Sequence, residues 1–209
     1  MVEITNRAVD QYMHQLLPVR DAIMREMEAK AAKRSIPIVG PAVGRFLYLL
    51  AAATQARRIF EMGSAIGYST LWLARAVGEK GEVYYTDANP KNAMEAEGYF
   101  KRAGVSKRVH VMVGNSLDLI QQVKGQFDMV FNDVDKYWYP EVFKLAVPRI
   151  RRGGLFVTDN TLWSGRVARP RPDEWTRKIQ EFNRLIYSSK VLFSAMLPIR
   201  DGVAVCWKL

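Results

Sequence analysis

FDMVFNDVDKYWYPEVFKLAVPRIRRGGLFVTDN, residues Phe127 to Asn160, is the stretch whose reading decides the fold. Two apolar runs of strand length, Phe127 to Phe131 and Leu155 to Thr158, each end in a polar cluster. Between them lie a helix-like segment and a break at Gly153-Gly154, the order of a strand-helix-strand unit. When the two strands are parallel neighbours, the crossover brings Asp133 and the pair Asp159-Asn160 to one sheet edge, where open α/β sheets hold ligands. Three hard oxygen donors then converge there. Each also has a plainer reading: a strand-end aspartate is commonly a turn or N-cap residue, and an asparagine accepts a turn conformation.

Upstream, the chain alternates in the same way. Arg57 to Met62 reads as the first strand, followed by Gly63-Ser64-Ala65-Ile66-Gly67 and a helix from Tyr68 to Val77. Glycines let backbone approach a ligand, and a helix N-terminus favours an anion. The spacing of Gly63 and Gly67 is not G-x-G-x-x-G, which speaks against a dinucleotide-dependent oxidoreductase, and the turn is equally compatible with a structural role. The second strand, Glu82 to Thr86, ends at Asp87, about 20 residues past Gly67, where such folds place an acid on ribose hydroxyls. A cap for the helix Pro90 to Ala103 is the alternative for Asp87. The third strand, Arg108 to Val113, leads to Ser116, which either caps the next helix or lines an adenine pocket.

The first segment, Thr5 to Arg34, reads as two helices, with Val9, Tyr12, Met13, Leu16 and Leu17 at helical spacing and Pro18 opening the second. An extended link, Ile36 to Pro41, precedes an apolar helix from Ala42 to Gln55. No composition shift or repeat divides the 209 residues, so we expect one domain, an arm over 1–35 and a core over 36–209.

Hydrophobic residues make up 49% of the chain, yet no apolar run approaches the roughly 18 residues of a membrane span and no signal-peptide core is evident. A cytoplasmic protein is expected. Cys206 is the only cysteine and His14 and His110 are far apart, which excludes a disulfide framework and disfavours a His-rich metal site. Any metal is expected on oxygen. The net charge of +10 points to a polyanionic partner or an anionic substrate, and Lys144 to Lys190 carries much of the excess.

Beyond Asn160 come a loop, Thr161 to Arg166, a helix from Pro172 to Tyr187, and two strands, Val191 to Leu197 and Val203 to Trp207, around Arg200-Asp201-Gly202. So short a turn pairs them antiparallel, with Cys206 an inert core residue. The expected fold is α/β: a mostly parallel seven-stranded sheet ending in an antiparallel hairpin, helices on both faces. Class I methyltransferases have this Rossmann-like sheet.

From Ile36 onward the chain resembles the cation-dependent O-methyltransferases, the family of the caffeoyl-CoA and catechol enzymes. FEMGSAIGYSTLWLA, YTDANP, FDMVFNDVDK, GGLFVTDNTLWSG and MLPIRDGVAVC occur in order and at family-like spacing. The resemblance implies that Asp133, Asp159 and Asn160 hold a divalent cation, usually magnesium. It implies an S-adenosylmethionine loop with Glu61, Gly63, Ser64, Gly67, Tyr68 and Ser69, with Asp87 on the ribose, Ser116 beside the adenine and Asp133 adjoining. Lys136 matches the proposed general base, and family members are commonly homodimers. Ser164 and Val134 depart from an asparagine of the plant enzymes and a histidine of the catechol enzymes, which leaves the acceptor open.

Two carboxylates and an amide oxygen on magnesium leave room for two acceptor oxygens, as a catechol offers. Chelation would stabilise the phenolate and aim it at the sulfonium methyl, with Lys136 taking the proton; a nearby cation disfavours an ammonium. Lys136 as a solvated surface charge is the plainer reading. Trp138, Tyr139 and Trp163 are candidate walls for an aromatic acceptor, or core. A small hydroxylated aromatic acceptor is expected first. Some bacterial relatives methylate 5-hydroxyuridine in tRNA, and Arg166, Arg169 and Arg171 would suit phosphates. A non-catalytic nucleotide-binding protein that kept the fold is the third reading.

Overall fold

The computed structural model of the chain describes residue 4 and residues 6–209. In chain order the helices are α1 (Arg7–Gln15), α2 (Ala22–Arg34), α3 (Gly40–Ala53), α4 (Tyr68–Ala76), α5 (Pro90–Arg102), α6 (Ser116–Gln122), α7 (Tyr139–Ala146) and α8 (Glu174–Ser188). The strands are β1 (Arg58–Met62), β2 (Glu82–Asp87), β3 (Val109–Val113), β4 (Phe127–Asn132), β5 (Ile150–Thr158), β6 (Leu192–Leu197) and β7 (Val203–Lys208). They form one seven-stranded sheet in the order β3-β2-β1-β4-β5-β7-β6. β1 to β5 pair in parallel, while β7 runs antiparallel to both β5 and β6. The expected α/β fold, hairpin included, is therefore present.

Near-continuous apolar strands such as Met129 to Phe131 and Leu155 to Val157 are buried because both faces of the sheet are covered. Residues of α2, α3, α4 and α5 pack on one face and residues of α6, α7 and α8 on the other. α2 buries Met24, Met27 and Ala31 there, and its rim is tied down by Asp21–Arg75 at 2.7 Å and by Lys30 and Arg34 on Glu95 at 2.8 and 2.7 Å. Each buried methionine contributes about 1.5–3 kcal/mol, against about 0–1 kcal/mol for an exposed ion pair, so apolar packing holds the arm and the charges set its register.

Local chemistry moves several expected boundaries. Thr5, where the first helix was expected to begin, lies outside the described residues. Pro18 does not open the second helix; the Asp21 side chain accepts the N–H groups of Ile23 and Met24 and starts it at Ala22. Asp173 does the same for α8, accepting from Thr176, two residues after the expected start. The Gly153-Gly154 pair is no break: β5 already begins at Ile150, and Gly153, at φ +73°, sits inside it where the pairing with β4 shifts between Phe127 and Met129. Glycine here permits a bulge in a continuing strand.

Candidate functional site

Register builds the site. Met62, Asn132 and Thr158 are paired across β1, β4 and β5. The ladder runs one residue further, with the Asp133 N–H donating to Met62 O at 2.9 Å and the Asp159 N–H to Asn132 O at 3.1 Å. Gly63, Asp133 and Asp159 thus stand level at three adjacent strand ends, at the switch point where the strand order reverses. Gly63 has φ +82°, and a Cβ on it would lie 2.7 Å from the Asp133 carbonyl oxygen. On the other side the Ser64 N–H donates to Thr86 O and the Gly114 N–H to Asp87 O.

A cleft of about 880 Å³ opens over this edge. Of the residues singled out from the sequence, Gly63, Asp87, Ser116, Asp133, Lys136 and Asn160 line it. Glu61, Ser64, Gly67, Tyr68 and Ser69 are buried beneath it instead, and Asp159 has no exposed surface. Asp87 is not the α5 cap, because Asn89 accepts the Lys91 N–H. Its carboxylate accepts from the Ala65 N–H at 3.0 Å, the Asn89 N–H at 2.8 Å and Asn92 Nδ2 at 3.1 Å, pinning the glycine turn to α5. Ser116 is not a cap either, since Asn115 fills that role. The Thr86 hydroxyl donates to Glu61 O at 2.7 Å, so the Ser116 hydroxyl, 2.7 Å away, donates to Thr86.

Charges at the edge are paired. Lys136 Nζ donates to Asp133 Oδ1 at 3.0 Å, with both side chains largely covered. Arg200 Nη1 donates to Asp159 Oδ2 at 3.0 Å, and Asp159 Oδ1 accepts its neighbour's N–H at 2.8 Å. Asn160 Nδ2 donates to Asp201 Oδ2 at 3.2 Å, which leaves its carbonyl oxygen for another partner. Burial, and then the charge of Asp133, push the Asp159 carboxyl up to about 7, while Arg200 opposes the shift. Burial also raises Asp133. Two neighbouring carboxylates that each resist ionisation are a natural seat for added positive charge. Among the described residues no group of three or more His, Cys, Asp or Glu could hold a metal; beside the two carboxylates the edge offers the Asn160 amide as a further oxygen.

Trp138 and Trp163 do line the cleft, but Tyr139 does not: it is fully buried and donates its hydroxyl to Asp159 O at 2.9 Å. Sequence reasoning missed Trp175 and Arg200, which also line it. Arg200 belongs to a second signal, non-glycine residues at positive φ. Of the seven such residues among those described, Ser35, Ala65, Asn160, Trp163 and Arg200, at φ between +45° and +57°, line the cleft, while Gln55 and Ser164 do not. Such backbone costs of order 1–3 kcal/mol per residue and gathers where function demands it.

The family profile described as O-methyltransferase matches residues 14–209. A catechol O-methyltransferase from Niastella koreensis is 37% identical over 210 residues, covering 95% of each chain. A caffeoyl-CoA O-methyltransferase from Eucalyptus globulus is 30% identical, covering 89% of this chain and 81% of the relative. The structure superposes on the O-methyltransferase from Bacillus cereus in complex with SAH with a TM-score of 0.87, at 32% identity and 97% coverage of both chains. With the match running through the strand ends and the cleft above them, the chain belongs to the S-adenosylmethionine-dependent O-methyltransferase family.

Proposed function

We propose that this enzyme methylates one hydroxyl of a small catechol-like aromatic acceptor in a divalent-cation-dependent reaction. The observation that carries the reading is the level row of Gly63, Asp133 and Asp159 beneath a cleft walled by Trp138, Trp163 and Trp175. Asp87 and Ser116 hold the nucleoside end of the cofactor, and the Gly63 to Ser69 turn holds its methionine end. The tryptophans bind the acceptor ring and exclude water from it. Lys136, at the cleft, is placed to take the hydroxyl proton on Nζ, a step that requires it as the free amine and not as the ammonium paired with Asp133. Asp133, Asp159 and the Asn160 amide oxygen fit a hard cation, magnesium by donor type. When bound, that ion supplies Lewis acidity favouring the phenolate.

The test is transfer of a labelled methyl from S-adenosylmethionine to a catechol panel. EDTA is expected to abolish it and magnesium to restore it; transfer unchanged by EDTA overturns cation dependence, and no transfer to any diol overturns the acceptor class. A second acceptor, 5-hydroxyuridine in tRNA, is favoured by one feature. Arg166, Arg169 and Arg171 are exposed, and Arg166 lies 5.2 Å above the Trp163 ring at the cleft. None of the three lines the cleft, which ranks tRNA second. We also infer a homodimer, supported by the exposed apolar stripe Val9, Tyr12 and Met13 on α1 with Leu16 just after it, and by exposed Phe193 and Trp207. The arm over 1–35 is read as part of the catalytic unit, since the Tyr68 hydroxyl at the head of α4 donates to Glu28 of α2 at 2.7 Å.

A further inference from the structure

Arg200 combines three properties that no other residue of the site shares. Its backbone sits at φ +52°, its side chain is 42% exposed at the cleft, and its guanidinium is the hydrogen-bond partner of Asp159 Oδ2. The turn that carries it is bolted down: the Thr161 N–H donates to Gly202 O, the Leu162 N–H to Asp201 O, and the Ser164 N–H and Asn160 Nδ2 to the Asp201 carboxylate. Arg200 is therefore held in front of Asp159 by the same loop that carries Asn160. The carboxylates of Asp133 and Asp159 are each matched by one protein cation, Lys136 and Arg200. A divalent ion brings as much positive charge again, and like charges at such distances repel strongly in a partly dry site.

We propose that Arg200 is a built-in counter-cation that a divalent ion must displace from Asp159, so that metal affinity in this chain is set by that competition. The inference rests on the cation-dependent reading above. Arg200, not Lys136, is the group that leaves, because the Lys136 side chain is only 15% exposed while the guanidinium already reaches solvent. Displacement frees Asp159 Oδ2 and turns the guanidinium into the cleft mouth on its flexible stem. The positive φ suits glycine, so Arg200→Gly relieves backbone strain as it removes the competitor.

The experiment is calorimetric titration of the ligand-free enzyme with manganese, comparing wild type, Arg200→Gly, Arg200→Gln, Arg200→Lys and Asp159→Asn, each first checked for folding by circular dichroism. Arg200→Gly and Arg200→Gln are expected to bind manganese at least about tenfold more tightly than wild type, a difference of about 1.4 kcal/mol. Arg200→Lys, which restores a cation, should fall back toward wild type, and Asp159→Asn should bind weakly. Equal affinity in wild type, Arg200→Gly and Arg200→Gln, or weaker binding in these two variants, overturns the competition while leaving the metal site standing. Absence of binding to wild type and to both neutral variants overturns the metal site as well.

Discussion

Glu61 is a carboxylic acid inside the sheet. It sits on β1, fully buried, with the Thr70 hydroxyl donating to Oε2 and no partner for Oε1 among the described residues. Burial outweighs the hydrogen bonds from Ser69, Thr70 and Ser64 and lifts its pKa from 4.5 to about 7. Because the folded value is raised, the native protein keeps a proton that the unfolded chain has lost between those two values. The stability this proton confers is complete below pH 4.5 and gone once the pH has risen through about 7. A shift of that size corresponds to about 3 kcal/mol. Urea unfolding of the ligand-free enzyme should therefore show wild type losing about 3 kcal/mol more than Glu61→Gln from acid to neutral pH. Parallel curves for the two proteins would mean that Glu61 ionises normally in the fold. At this scale the sequence was half legible. Asp133, Asp159 and Asn160 could be found because apolar runs end at them, and the register then brought them together. Depth could not be read: Glu61 was placed in a strand and Tyr68 at a helix start, but nothing in their spacing showed that α4 and α2 close over them, and the Arg200 contact joins positions 41 apart in the chain.

Among the elements, the turn between β1 and α4 has little freedom. Gly63→Ala would set a Cβ 2.7 Å from the Asp133 carbonyl oxygen at φ +82°. Backbone, unlike a side-chain tip, cannot turn aside, so the positive φ and the overlap together should cost about 2–4 kcal/mol. S-adenosylhomocysteine affinity should fall with it, as seen by calorimetry. Gly98, in the interior of α5 with nothing within 4 Å of its added Cβ, is the control: Gly98→Ala should stabilise by about 0.5–1 kcal/mol in the same thermal or urea unfolding. If both substitutions destabilise alike, the close approach at Gly63 is not what constrains the turn. Most elements were legible because their period, apolar face and glycine punctuation agree. At the misplaced starts Ala22, Glu174 and Ile150 one side chain or bulge decides the boundary, whereas α3, expected over Ala42 to Gln55, runs Gly40–Ala53 with no side-chain cap to mark it. Asp21 and Asp173 outcompete nearby prolines as helix starters because they satisfy N–H groups that proline cannot.

Across the whole molecule, cover is uneven. Phe193, Trp207 and Leu155 stand in one row across β6, β7 and β5, and Leu155 is buried while Phe193 is 68% and Trp207 48% exposed. The other face of the same hairpin, with Leu192, Ala204 and Cys206, is sealed under α8. Cross-strand aromatic pairs on a bare outer face are unusual for a monomer and suit a second copy of the chain. A stable interface needs about 800 Å² per partner, so this patch has to be extended, and the exposed stripe at α1 is one further apolar surface among the described residues. The chain carries a net charge of +10, so association of two copies would work against like-charge repulsion that salt screens. Sedimentation should accordingly find a dimer that tightens as salt is raised. Phe193→Lys combined with Trp207→Lys should yield a folded monomer, because each ammonium adds charge where apolar surface was to be buried. A wild-type enzyme that sediments as a monomer at high salt and micromolar concentration overturns the dimer, and a double variant that stays dimeric moves the interface away from the β6–β7 face.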